Sequence, residues 1–148
     1  MVSGATVASA AEVFQVVTGS DKCWDVPNGS KANNAPINQF QCDGSPEQKF
    51  VFRDIGGGFF NIVAAHSGLC VDVPNGQTGD NIPVNQFQCD GSPEQQFEVV
   101  YGGGDFVNII ARHSGKCLDV PNGSAADNLQ LIQFACDGSA AQRFYLYE

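Results

Sequence analysis

The chain has 148 residues, a length that suits one domain able to bury its own core. Its formal net charge is −9 with only seven Lys and Arg, spread along the chain, so it lacks the clustered cations that nucleic-acid backbones and anionic membranes require. No stretch approaches the roughly 20 apolar residues that insert across a bilayer, and none of these features excludes a neutral partner rich in hydroxyls.

The first residues, "MVSGATVASAAEVF", lack a basic region and a long apolar core, so they do not read as a secretory signal. An exported form is expected to have its signal replaced by Met1. From residue 8 onward the chain repeats itself with a step of 47. That step carries Cys23 to Cys70 to Cys117, Cys42 to Cys89 to Cys136, and Asp25 to Asp72 to Asp119. It also carries Phe40 to Phe87 to Phe134, Gln48 to Gln95 to Gln142, and Phe50 to Phe97 to Phe144. Three ungapped units result, 8–54, 55–101 and 102–148.

Each unit opens on a β-like run: "VFQVVTG", "FNIVAAHSG", "FVNIIARHSG". "CWDVPNG", "CVDVPNG" or "CLDVPNG" follows, where Pro fixes φ and Gly accepts a positive φ, which makes a turn. A second run, "PINQFQC", "PVNQFQC" or "LQLIQFAC", ends at an Asp-Gly turn. The unit closes on "QKFVF", "QQFEVV" or "QRFYLY". Short strands at this spacing predict an all-β fold. Units this small cannot each bury a core, so they are expected to share one in a closed threefold arrangement without long exposed edges. An open solenoid would need terminal caps, and the terminal units resemble the middle one.

Six cysteines allow fifteen pairings. The repeat points to one bridge per unit, Cys23–Cys42, Cys70–Cys89 and Cys117–Cys136. Each such loop is worth roughly 3 kcal/mol in the chain-entropy model, and the set implies an oxidising compartment and secretion. Zinc is not expected, because no Cys-x-x-Cys or nearby His pair exists. Calcium is not expected either, because no D-x-[DN]-x-[DN]-G loop is present. No cofactor is anticipated.

Three copies of "C-x-D-V", an aromatic residue just before the second Cys and a closing "Q-x-F" resemble the ricin B-type lectins, also grouped as family 13 carbohydrate-binding modules. The resemblance spans essentially the whole chain and implies a β-trefoil. The closing motif departs from the family's usual Q-x-W but keeps an aromatic core residue. The resemblance also implies up to three shallow sugar sites. Asp25, Asp72 and Asp119 would accept sugar hydroxyls, and Phe40, Phe87 and Phe134 would stack on the sugar face. Asn38 and Asn85 would assist, with Ile132 at that position in the third unit. Glu47 and Glu94 occupy the place of a sugar-binding Asn, and the third unit has Ala141 there. The expected ligand is a galactose-type glycan, bound by the first two units, with the third weaker or silent.

Other roles fit some of these residues. The aspartates could cap the adjacent turn, and the three Phe before the second Cys could be core. Asp43, Asp90, Asp137, Asn28, Asn75 and Asn122 read as turn residues, and His66 and His113 as surface turn residues. Gln48, Gln95 and Gln142 read as structural hydrogen-bonding groups. Phe50, Phe97, Phe144 and Trp24 read as core. Asp25 with Glu47 could form a glycosidase pair, but an active site occurs once and this pattern recurs, so no enzyme is expected. A protein-binding trefoil such as a protease inhibitor would need one unusual loop, and the loops match in length. A module from a longer glycoside hydrolase, joined to a catalytic domain, remains a second reading beside the free lectin.

Overall fold

The computed structural model describes residues 12–148. The N-terminal stretch read as lacking a secretory signal falls mostly outside them. The first unit forms β1 (Glu12–Thr18), β2 (Lys22–Asp25), β3 (Asn38–Gln41) and β4 (Phe50–Gly56). The second forms β5 (Phe59–Ala64), β6 (Cys70–Asp72), the two-residue β7 (Ile82–Pro83), β8 (Asn85–Phe87) and β9 (Phe97–Tyr101). The third forms β10 (Val107–Ala111), β11 (Cys117–Asp119), β12 (Leu129–Gln130), β13 (Ile132–Phe134) and β14 (Phe144–Tyr147). The remaining regular elements are one-turn 3-10 segments.

The first and last strands of the units close a six-stranded antiparallel barrel, in the order β1–β4–β5–β9–β10–β14 and back to β1. Closure leaves the barrel without an unpaired edge. The middle strands form three hairpins, β2–β3, β6–β8 and β11–β13. These hairpins join one another through β12–β3, β7–β13 and a Pro36–Asn85 bridge. Barrel and hairpin triplet together are a β-trefoil.

Strand alternation builds the core. In β1, Phe14, Val16 and Thr18 point inward while Val13 and Gln15 do not. Phe50, Phe97 and Phe144, one from each unit, are fully buried. Trp24 joins them as expected, with its ring 5.7 Å from Phe50 and 5.3 Å from Phe144 in edge-on contact. Val71 and Leu118 hold the same position in the other units and are equally buried.

Each unit carries its own disulfide: Cys23–Cys42, Cys70–Cys89 and Cys117–Cys136. Hydrogen bonds then tie the units into a ring. Gln39 donates to the carbonyls of Ser124 and Ala126, both at 2.8 Å. Gln86 does the same to Ser30 and Ala32, both at 2.9 Å, and Gln133 to Gln77 and Gly79 at 2.9 and 2.8 Å. Each glutamine therefore clasps the loop of the neighbouring unit.

Candidate functional site

Asp25 ends β2 and faces Asn38 at the start of β3, while Cys23 faces Phe40. Alternation sends Trp24 and Gln39 to the core and leaves Cys23, Asp25, Asn38 and Phe40 on the outer face. The second unit repeats this with Asp72 opposite Asn85 and Cys70 opposite Phe87. The third places Asp119 opposite Ile132 and Cys117 opposite Phe134. Phe40, Phe87 and Phe134 are half-buried and lie outside the core cluster. The structure thus brings carboxylate, amide and ring together in units one and two, and carboxylate and ring in unit three.

Two 3-10 turns shape each site. Pro27–Gly29 follows Asp25, with Asn28 at φ 59° and Gly29 at φ 61°. Pro46–Gln48 carries Glu47 and Gln48 and meets the first turn through the Val26 N–H to Glu47 carbonyl bond, 3.3 Å. The Glu47 carboxylate lies over Gly29: a β-carbon there would sit 3.6 Å from Oε1. Glycine is required at this point by its positive φ. Glu94 lies over Gly76 in the same way, and in the third unit the Ala141 methyl faces Gly123.

The closing glutamine organises the carboxylate. Gln48 Nε2 donates to Asp25 Oδ2 at 2.7 Å and to the Gln41 carbonyl at 2.9 Å, while its Oε1 accepts the Asp43 N–H at 2.9 Å. Gln95 holds Asp72 at 2.7 Å and Gln142 holds Asp119 at 2.9 Å. These glutamines are structural, and they also aim the aspartate. Oδ1 of each aspartate has no hydrogen-bond partner among the described residues, so it is free to accept from a ligand. Asp43, Asp90 and Asp137 accept the backbone N–H of the serine two residues on, as turn residues do.

The amides differ between units. Asn85 Oδ1 accepts a 2.8 Å bond from Gln130 Nε2. Asn38 Oδ1 is buried without a partner, because Pro83 occupies the equivalent neighbouring position.

Burial raises the carboxyl pKa of all three aspartates, which are only 5–6% exposed. Asp72 is pushed up to about 6, by burial first and then by Glu94 and Asp90, against the stabilising Gln95 bond. Asp25 is raised by burial, with Glu47 and Asp43 adding to it. Asp119 is raised by burial and Asp137, with no glutamate beside it.

His66 and His113 do more than turn the chain. His66 Nε2 lies 2.7 Å from the Ser30 carbonyl and His113 Nε2 lies 2.8 Å from the Gln77 carbonyl. A carbonyl only accepts, so Nε2 carries the proton in both. Each imidazole reaches the preceding unit's site and favours its ionised aspartate. Gly19 takes this position in the first unit. The 47-residue step marks both histidines, but their targets are backbone carbonyls of the preceding unit, which carry no side-chain signature.

The third site opens into a cavity of about 450 Å³ lined by Asp119, Ile132, Phe134, Gly123 and Ala141 among others. Among the described residues, no group of three or more His, Cys, Asp or Glu could hold a metal ion.

A ricin-type beta-trefoil lectin domain-like description matches the chain over residues 6–87, 46–134 and 93–148. The designed 3-fold symmetric protein ThreeFoil is similar, with 35% identity and a TM-score of 0.90 over 92% of this chain and 98% of that one. So is 1,3Gal43A, an exo-beta-1,3-galactanase from Clostridium thermocellum, with 31% identity and a TM-score of 0.87 over 90% of this chain. The chain spans 29% of that galactanase. The Rhizoctonia solani agglutinin, 16% identical with a TM-score of 0.85, covers 97% of this chain and 99% of its own and shares the fold. No curated protein sequence matches. With overlapping matches that run from residue 6 to residue 148, the chain belongs to the ricin-type β-trefoil lectin domain-like family.

Proposed function

We propose that the chain is an exported carbohydrate-binding lectin without catalytic activity, whose first two units hold galactose-type sugars and whose third holds them weakly or not at all. The observation that carries this reading is the buried aspartate of each unit: one oxygen fixed by glutamine, the other unpartnered, beside a half-buried ring. An ionised carboxylate accepts two hydroxyls, and such charge-assisted bonds are the stronger kind. The flat ring covers the C–H face of the sugar. Asn38 and Asn85 both donate and accept. Glu47 and Glu94 accept only, which selects ligands that offer hydroxyl donors at that edge. Pockets of this kind bind one sugar in the millimolar to high-micromolar range, roughly 4–6 kcal/mol.

A second reading makes the chain the sugar-targeting module of a longer glycoside hydrolase. The similarity to part of an exo-beta-1,3-galactanase favours it. In both readings the sites act alike. A glycan array probed with the oxidised protein and with an Asp25→Ala/Asp72→Ala variant tests them together. The expected result is retention of galactose-type glycans by the wild type and loss in the variant. A blank array, or equal retention, rejects the sugar sites.

A further inference from the structure

The threefold repeat breaks beside β14. The chain has three tyrosines, Tyr101, Tyr145 and Tyr147, and all three line one cavity of about 280 Å³ together with Gly104, Asp105 and Leu146. The 47-residue step puts Asp54 and Glu148 at the place of Tyr101, Val51 and Glu98 at that of Tyr145, and Arg53 and Val100 at that of Tyr147. The other units therefore close the barrel without phenols, and the three rings lie outside the core cluster. Tyr147 and Tyr101 are 55% and 47% exposed, more than any other large apolar side chain among the described residues.

The loop beside these rings is built to hold its shape. The Gly102 N–H donates to the Phe106 carbonyl at 3.0 Å and closes a turn over Gly103, Gly104 and Asp105. The Phe106 ring lies against Gly102 in the space a β-carbon would take, so close approach requires glycine there. The Arg143 guanidinium covers the ring, 4.6 Å from its centroid. Asp105 stays exposed on this pinned loop, in the wall of the cavity.

We propose that this cavity is a further saccharide site, built on tyrosine and separate from the three hairpin sites. Tyr145 and Tyr147 are two residues apart on β14, so they share a face, with Cα atoms roughly 7 Å apart. Their ring faces suit the C–H surface of a sugar, and phenol hydroxyls both donate and accept. Asp105 adds a carboxylate that accepts hydroxyls. Among the described residues no Lys or Arg lines the cavity, so an anionic ligand would meet an acidic wall without a counter-charge. A wholly apolar ligand would strip water from Asp105 and give nothing back. A neutral ligand with hydroxyls at its edge and C–H groups on its faces satisfies every group present. No hairpin aspartate takes part, so this site does not depend on the lectin reading of the hairpins.

The test is affinity electrophoresis of the full oxidised chain in gels that hold a soluble neutral galactan, xylan, mannan or mixed-linkage glucan, referred to a gel without polysaccharide. The wild type runs beside a variant whose hairpin sites are silenced by Asp25→Asn, Asp72→Asn and Asp119→Asn. A third form adds Tyr145→Ala and Tyr147→Ala to that variant. These two changes spare the fold, since Val, Glu and Arg stand at the same places in the other units. The expected result is that at least one polysaccharide still retards the silenced variant, and that the two alanines weaken this retardation at least about tenfold. If the wild type is retarded and the silenced variant is not, the hairpin sites hold the sugar and this proposal falls. If the silenced variant is retarded and the alanines change nothing, the proposal falls as well, because the sugar sits elsewhere. If no polysaccharide retards the wild type, this proposal and the lectin reading fall together.

Discussion

At the scale of the residue, the proposed lectin reading puts Asp72 under two opposed demands. Sugar binding needs its carboxylate ionised, and burial beside Glu94 and Asp90 holds its pKa near 6, above the ordinary 3.8. Galactose binding at the second site should therefore weaken as pH falls through about 6, read by calorimetry in a variant whose first site is silenced by Asp25→Asn. Stability runs the other way. A folded-state pKa above the unfolded value means the native protein holds the proton more tightly. The contribution is complete below about pH 4 and is lost as pH rises through about 6. Asp72→Asn keeps the acceptor for Gln95 and removes the charge. It should raise stability at pH 7 by about 1 kcal/mol, discounted for solvent screening, while abolishing binding at that site. A gain in binding, or a lower denaturation midpoint at pH 7, would contradict this account.

At the scale of the element, the two faces of each hairpin serve different ends. Their outer face holds the candidate site, and their inner face holds the glutamine that ties one unit to the next. Gln86→Leu keeps the volume and removes the amide donor shared by the Ser30 and Ala32 carbonyls, leaving Ser30 its bond from His66. It also leaves the Ser67 hydroxyl without its 3.0 Å acceptor. Unsatisfied groups of this kind cost about 1–3 kcal/mol, so the urea midpoint should fall accordingly, with the disulfides intact. The residues of the outer face were named in the sequence through the family resemblance; strand alternation accounts for their meeting, since "C-x-D" and "N-x-F" are two-residue steps that a strand places on one side. The closing glutamines were legible as structural from their threefold recurrence, although they sit in 3-10 turns and not in strands. The inner clamp and the two imidazoles were not. Their partners are backbone carbonyls of another unit, which carry no side-chain signature, and one clamp, Gln39 on Ser124 and Ala126, forms only where the last unit meets the first.

At the scale of the whole molecule, the pseudo-threefold axis sets what several weak sites can do together. Units related by a constant 47-residue step around a closed barrel place their sites at roughly equal angles about the axis. Neighbouring sites thus face different directions, and one short glycan cannot occupy two of them. Each site should then bind a free monosaccharide independently. Asp25→Asn should halve the galactose stoichiometry in calorimetry and leave the remaining Kd unchanged, given two galactose sites. On a surface dense with separate galactose chains the same substitution should behave differently. Two sites engaging two chains raise apparent affinity by about 10²–10⁴ when their geometry permits it, so removing one should cost most of that factor in a biosensor measurement. The contrast separates multivalency from conformational coupling. If the free-sugar Kd also changes, the units communicate through the shared core. If surface retention drops only twofold, the sites never engage one surface together, and the repetition serves the closure of the fold rather than avidity.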